Sequence, residues 1–412
     1  VKFDKNLKIV PGLASTWGNL NPTTWQLKLR RGVLFHDGSP FTAEDVLASF
    51  ETAKKQTAGE IQTYLRTIQE IKKIDDATIE IITQGPDPLI LSRLTKFFIT
   101  KKENVGTGPY TVDHYVPGKI LSLKAFPDYW GRQPSHARVD YVTTIDRNQR
   151  SMDFESGKTD VLVAVPPEQA ALLPQDQIKT HYSLEVNFLL FNLQDEAFKD
   201  LKTREAISKQ FDPARIETIG NSYVRQANQF IAPGVFGYNP SLPLFKYDEA
   251  TRPKALFGER LERLTLDYLP TYRTLAQYLQ AQLRDAGYLL KLNELSPEAL
   301  LEKIRNNESQ LFLLGWQSEN GDAGDFLEAF IHSQGEFNGG RFSNAELDGL
   351  IEASRSELNP EKRLKMLQDL MARIDAEKIG VPLFESSRLY AVKKGIEWEP
   401  RLDGLVLAEE IH

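Results

Sequence analysis

Two oppositely charged residues stand where an α/β sheet would place a ligand. Residues 264–269 have strand character, and Arg273 opens the helical stretch that follows; residues 311–316 form an apolar strand pattern, with Glu319 three positions beyond it. Open parallel sheets bind ligands beyond the carboxyl ends of their strands, so both side chains are expected in one crevice. There an arginine and a carboxylate could clamp a zwitterion through charge-assisted hydrogen bonds. The competing reading is of solvated loop charges. Trp316 is either an apolar wall for a ligand side chain or a core residue beneath the loop. The stretch 319–325 also carries Asp322 and Asp325, but it lacks the spacing of a calcium loop. Arg341, after the turn Asn338-Gly339-Gly340, either faces a ligand or lies in solvent.

Catalytic patterns are weaker. His36-Asp37 has no serine in a nucleophile elbow to serve, and the six histidines include no H-x₃-H metal pair. Gly106-Thr107-Gly108 lacks the third glycine of a nucleotide loop. With no cysteine there is no disulfide, thiol nucleophile or cysteine-bound metal. Glu319 and Asp322 could form the acid/base pair of a hydrolase, and nothing else in the sequence supports a reaction. No catalytic residue, metal or cofactor is expected.

These residues need elements to hold them. The stretch 260–316 alternates strand, helix, strand, helix, strand with short connections, which predicts parallel pairing and right-handed crossovers. Its first helix puts Tyr272, Leu275, Ala276, Leu279 and Leu283 on one face and ends at Gly287. Its second opens on Ser296 and Pro297. The first 145 residues read as an antiparallel α+β region: strands 25–29 and 78–82, a helix capped by Thr42 and Asp45, a second helix over 60–72, and a hairpin across Pro117-Gly118. A charged amphipathic helix is expected near 360–377, followed by two short strands, 381–384 and 389–392. At 412 residues and 46.8 kDa the chain exceeds one core. A net charge of −7 argues against a nucleic-acid partner.

Longer motifs carry a resemblance. Pro11-Gly12-Leu13-Ala14 leads into the block from Trp25 to Val46, with Arg30-Arg31-Gly32-Val33 and Phe35-His36-Asp37-Gly38 at its centre. Gly106-Thr107-Gly108-Pro109-Tyr110, Pro127-Asp128-Tyr129-Trp130-Gly131, Thr203-Arg204-Glu205-Ala206-Ile207, Gly315-Trp316 and Ser343-Asn344-Ala345-Glu346-Leu347-Asp348 follow in order. The set resembles the solute-binding proteins of ABC transporters, in the family of dipeptide- and oligopeptide-binding proteins.

That resemblance implies an α/β, periplasmic-binding-protein-like fold of type II with an extra β-rich subdomain. One lobe would hold 1–189 and 391–412, the other 190–390, with crossings near 187–192 and 389–392. It implies a monomer outside the cytoplasm, free or lipid-anchored, that binds a small ligand, a peptide foremost, and delivers it to ABC permease subunits. A ligand-sensing domain is the alternative. In the family an acid shortly after Gly-Trp holds the ligand's α-amino group and, in some members, an arginine at the helix start holds its carboxylate. Glu319 replaces the usual aspartate, with Asp322 as a substitute. Residues Val1 to Lys5 show no leader pattern, and family members normally carry several tens of residues ahead of the Pro11 block, so part of the site is expected outside this sequence.

Overall fold

The computed structural model describes residues 1–55, 60–101, 105–220, 223–248, 262–285 and 287–412. These fall into two units. The first comprises Val1–His181, Ser356–Leu358 and Leu389–His412, and the second Tyr182–Arg355 and Asn359–Arg388.

The first unit carries three antiparallel sheets. β1 (Lys2–Phe3) pairs with β2 (Ile9–Val10); β3 (Ala14–Asn21), β4 (Thr24–Leu29), β5 (Ile68–Asp75) and β6 (Thr78–Thr83) lie in the order β3-β4-β6-β5; β7 (Tyr110–Val116), β8 (Ile120–Ala125) and β9 (Arg138–Val142) form a meander. Alternation fixes the inner face: Trp25, Leu27 and Leu29 of β4 and Ile79 and Ile81 of β6 are buried. Val46 and Phe50 of α1 (Ala43–Lys54) share that core. The Thr42 amide donates to Asp45 Oδ2 at 2.7 Å, the reciprocal half of the expected capping box. His36 is structural, its ring nitrogens bonding the Gly106 amide and the Gly108 carbonyl. α2 (Glu60–Leu65), α3 (Ile90–Leu94), α4 (Arg147–Glu155), β10 (Val161–Leu162) and α5 (Pro167–Ala170) complete the unit with a C-terminal segment in which Tyr390, Val392 and Trp398 are buried together.

One expectation fails here. The helix over 60–72 stops at Leu65, and β5 follows. Ile68 and Ile71, three apart, mimic a helical stripe, but a register irregularity between Ile68 and Glu70 turns both inward on a strand.

The chain leaves the first unit within β11 (Ile178–Phe191) and returns to it within β16 (Gly380–Val392). β16 replaces the two short strands expected there. The polar run Glu385 to Arg388 reads as a break, yet it stays extended by pairing with β12 (Val224–Gln226). In the second unit β16 lies beside β11, which pairs antiparallel with β15 (Leu311–Gln317); β15 then pairs parallel with β13 (Glu262–Tyr268), and β13 with β14 (Tyr288–Glu294). The helices are α6 (Leu201–Ser208), α7 (Pro213–Ile219), α8 (Arg273–Asp285), α9 (Pro297–Asn306), α10 (Ala323–Phe326), α11 (Ala345–Ser354) and α12 (Pro360–Glu377). Leu275, Ala276, Leu279 and Leu283 bury the apolar stripe of α8, and Ser296 Oγ caps α9 by accepting from the Ala299 amide.

A buried polar knot sets the parallel register. Asp267, fully buried in β13, accepts from Lys303 Nζ of α9 at 2.7 and 2.9 Å, from Ser309 Oγ at 2.7 Å, and from Asn293 of β14. One carboxylate thus ties two strands, a crossover helix and the turn into β15. Removing one partner of a buried pair leaves the other charge uncompensated. Asp267→Ala should therefore lower the urea-unfolding free energy by roughly 3–5 kcal/mol.

Candidate ligand-binding site

All five residues singled out from the sequence lie in the second unit, and they have different fates. Arg273 opens α8 as expected, but its Nε and Nη2 donate to the two carboxylate oxygens of Glu294 at 2.8 and 2.6 Å. That pair sits on the β14 side of β13, whereas β15, which leads to Glu319, lies on the other side. Trp316 packs edge-on to Phe330 at 5.1 Å and near Phe337, and its indole N–H has no hydrogen-bond partner among the described residues. Asp322 is closed in: both oxygens meet the guanidinium of Arg363, Oδ1 also accepts from the Gly324 amide, and neither charged side chain is more than 5% exposed. Arg341 is exposed, on backbone of φ 52°.

Glu319 is the exception. It is exposed and makes no ion pair among the described residues. Its loop is nevertheless strapped down. Ser318 Oγ donates to the Asp322 carbonyl and accepts its amide, while the backbone of Phe236 bonds Gly321 and Ala323 at 2.8 Å each. Asp325 accepts from the Asn320 amide and side chain and from Ser318 Oγ. These loop oxygens are taken by donors of the protein itself.

Thr271, Tyr272 and Thr274, just beyond the carboxyl end of β13, line a cavity of about 330 Å³ with Glu185 and Asn187 of β11. The groups that furnish it are not those the sequence suggested. Asn187 lies opposite Gly315 in the β11–β15 ladder, and Glu185 opposite Gln317. A Cβ on Gly315 would lie 2.5 Å from Glu185 Oε1, 2.8 Å from Tyr272 Oη and 2.9 Å from Asn187 Oδ1, so only glycine leaves room for this convergence. Tyr272 Oη donates to Asn187 Oδ1 at 2.5 Å, and Asn187 Nδ2 donates to Ser386 Oγ of β16 at 2.8 Å. Ile216, Ile219, Val224, Leu275 and Phe384 supply apolar wall, with Thr271 and Thr274 also in the lining. Burial pushes the Glu185 carboxyl up, against the opposing charge of Arg388. Burial, then the charge of Glu185, pushes the Tyr272 phenol well above its ordinary range.

The sequence does contain a signal for this cluster. Ser183, Glu185 and Asn187 alternate with Leu184, Val186 and Phe188, a row of polar side chains on one face of a buried strand. A glycine inside the apolar run 311–316 likewise marks a close approach.

The loop yields a pH dependence. Burial and the neighbouring Asp322 carboxylate raise Asp325 from its ordinary 3.8 to about 6. Between those values the native state holds a proton that the unfolded chain has lost, so this contribution to stability is complete below pH 3.8 and is lost as pH rises through 6. Asp325→Asn removes the proton exchange. The stability of the variant relative to wild type should therefore rise by on the order of 1–3 kcal/mol between pH 4 and pH 7 in denaturant titrations.

Comparison with known proteins fits this architecture. The family profile "Bacterial extracellular solute-binding proteins, family 5 Middle" matches residues 8–338. The dipeptide-binding protein of Escherichia coli is 24% identical, over 95% of this chain and 83% of that protein, and heme-binding protein A of Haemophilus influenzae is 24% identical, over 94% and 81%. Among solved structures, HbpA2 from Haemophilus parasuis superposes with a TM-score of 0.88 at 21% identity, covering all of this chain and 92% of that one. A nickel ABC transporter structure from Bacillus halodurans gives 0.86 at 24%, with the same coverage. The structural likenesses establish a periplasmic-binding-protein fold of type II, and the profile, spanning most of the sequence, establishes descent: this chain belongs to the bacterial extracellular solute-binding proteins of family 5.

Proposed function

We propose that this chain is the extracytoplasmic substrate-binding component of an ABC importer, that its ligand is a short peptide, and that it acts as a monomer delivering that peptide to membrane permease subunits. Support for a peptide comes from relatives named for dipeptides and from a likeness, at a TM-score of 0.73, to a Helicobacter pylori binding protein in complex with the peptide STSA. The carrying observation on this chain is Glu319: an exposed carboxylate, with no ion pair among the described residues, on a loop already fixed by its own hydrogen bonds. Such a group receives an α-ammonium with little ordering cost. Binding and release, rather than bond-making, are what the site is built for.

Arg273 enters on different terms. It meets a ligand carboxylate by sharing its guanidinium with Glu294, in a pair where the arginine side chain is 61% exposed. Exposed pairs of this kind are weak and yield readily.

Calorimetry with free, N-acetylated and C-amidated dialanine tests both roles. Glu319→Ala should weaken free dialanine by roughly 30-fold or more, the loss expected when a ligand charge is left unpaired. It should leave the N-acetyl peptide unaffected. Arg273→Ala should cost less, within about tenfold, since Glu294 already satisfies it. Equal loss for acetylated and free peptide would remove Glu319 from the amine contact. A wild-type protein that binds no member of a dipeptide library would end the peptide reading.

A further inference from the structure

The cavity beside Gly315 holds one acid and no base among the described residues of its lining. Glu185 makes no ion pair among the described residues, and Arg388, whose charge it feels, gives its Nη2 to Gln317 Oε1 at 2.6 Å. The hydrogen bonds beside it are already ordered. Tyr272 donates to Asn187, and Asn187 donates to Ser386, so the Asn187 amide and the phenol are fixed before any ligand arrives. The Glu185 carboxylate takes a hydrogen bond from Asn187 and keeps acceptor capacity beyond it, at the polar end of a chamber with aliphatic wall from Ile216, Ile219, Val224 and Leu275. An ammonium group carries three donors and no acceptor. Four methylenes behind it would lie against that wall as lysine stems lie along apolar surface. A volume of about 330 Å³ leaves room for such a side chain.

We propose that this cavity is a subsite for an alkylammonium group, with Glu185 supplying the countercharge and the aliphatic wall holding the methylenes. The assignment rests on the solute-binding reading and gives it a specificity: among peptides, those with a lysine-like side chain are favoured. Gly315 is then a specificity residue, because any side chain there would displace the carboxylate.

The test compares Ala-Lys with Ala-norleucine, which keeps the stem and omits the charge. Wild type should bind Ala-Lys at least tenfold more tightly by calorimetry. Glu185→Gln should abolish that preference while holding Ala-norleucine within about twofold of wild type. Equal wild-type affinity for the two peptides, or a preference that survives in Glu185→Gln, overturns the subsite while leaving peptide binding intact. If neither peptide binds, the peptide reading fails and n-butylammonium alone decides the subsite. With methyl-labelled wild-type protein, NOEs from the butyl chain to Ile219 and Val224 are expected, and their absence at saturating amine overturns the proposal. That measurement needs no variant, so a folding defect in Glu185→Gln leaves it decisive.

Discussion

Arg363 is 4% exposed and carries a permanent charge, and the second unit is arranged around the need to neutralise it. Its fork is met by both oxygens of Asp322, its Nε by the Ser354 carbonyl, and its face by the Phe236 ring at 5.6 Å. Through those contacts α12 is fastened to the end of α11 and to the loop that leaves β15. A carboxylate spent this way cannot serve a ligand without unpairing a buried cation. The same pairing dictates where the loop goes, and so where Glu319 stands. Asp322, three positions on, is consumed by this pairing, while Glu319 stands exposed with no ion pair among the described residues.

β15 shows how one strand serves two chemistries. Trp316 shares a face with Val186 and Phe188 of β11, and Phe188 meets Phe230, Phe326 and Phe330 in a packed aromatic group. Gly315 and Gln317 face the other way, towards Asn187, Glu185 and Arg388. A single-residue slip of the β11–β15 ladder would turn Glu185 towards the phenylalanines or Trp316 towards the polar face, according to which strand moved. The aromatic face therefore enforces the polar one. Its cost is an indole N–H that finds no acceptor among the described residues.

Much of the fold was legible in local pattern. The stripe of α8, the Ser296 cap of α9 and the parallel order of β13, β14 and β15 all follow from residues close together in sequence, where propensity and periodicity act. The bulge in β5 and the continuity of β16 were not, because each depends on a partner strand that overrides local preference. The site divides along the same line. The rule that ligands bind beyond the carboxyl ends of parallel strands pointed to the loops after β13 and β15, and a cavity lies beside the first of them. It could not supply Glu185, Asn187 and Ser386, which arrive on antiparallel strands from more than 70 positions away on either side of Gly315. Nor could it show Glu294 holding Arg273 or Arg363 holding Asp322, since a charge in sequence carries no sign of its partner.

The placement of Trp316 also has an optical consequence. Trp17, Trp25, Trp130 and Trp398 belong to the first unit, leaving Trp316 as the sole indole in the sequence of the second. Half-buried and packed against Phe330 and Phe337, it is a chromophore with an aromatic shell on one side. It also sits between Gly315 and Gln317, which face Asn187 and Glu185 across the β11–β15 ladder. The second unit thus carries a native fluorophore one peptide plane from the polar chamber, and replacing the other four indoles with phenylalanine would leave its signal alone.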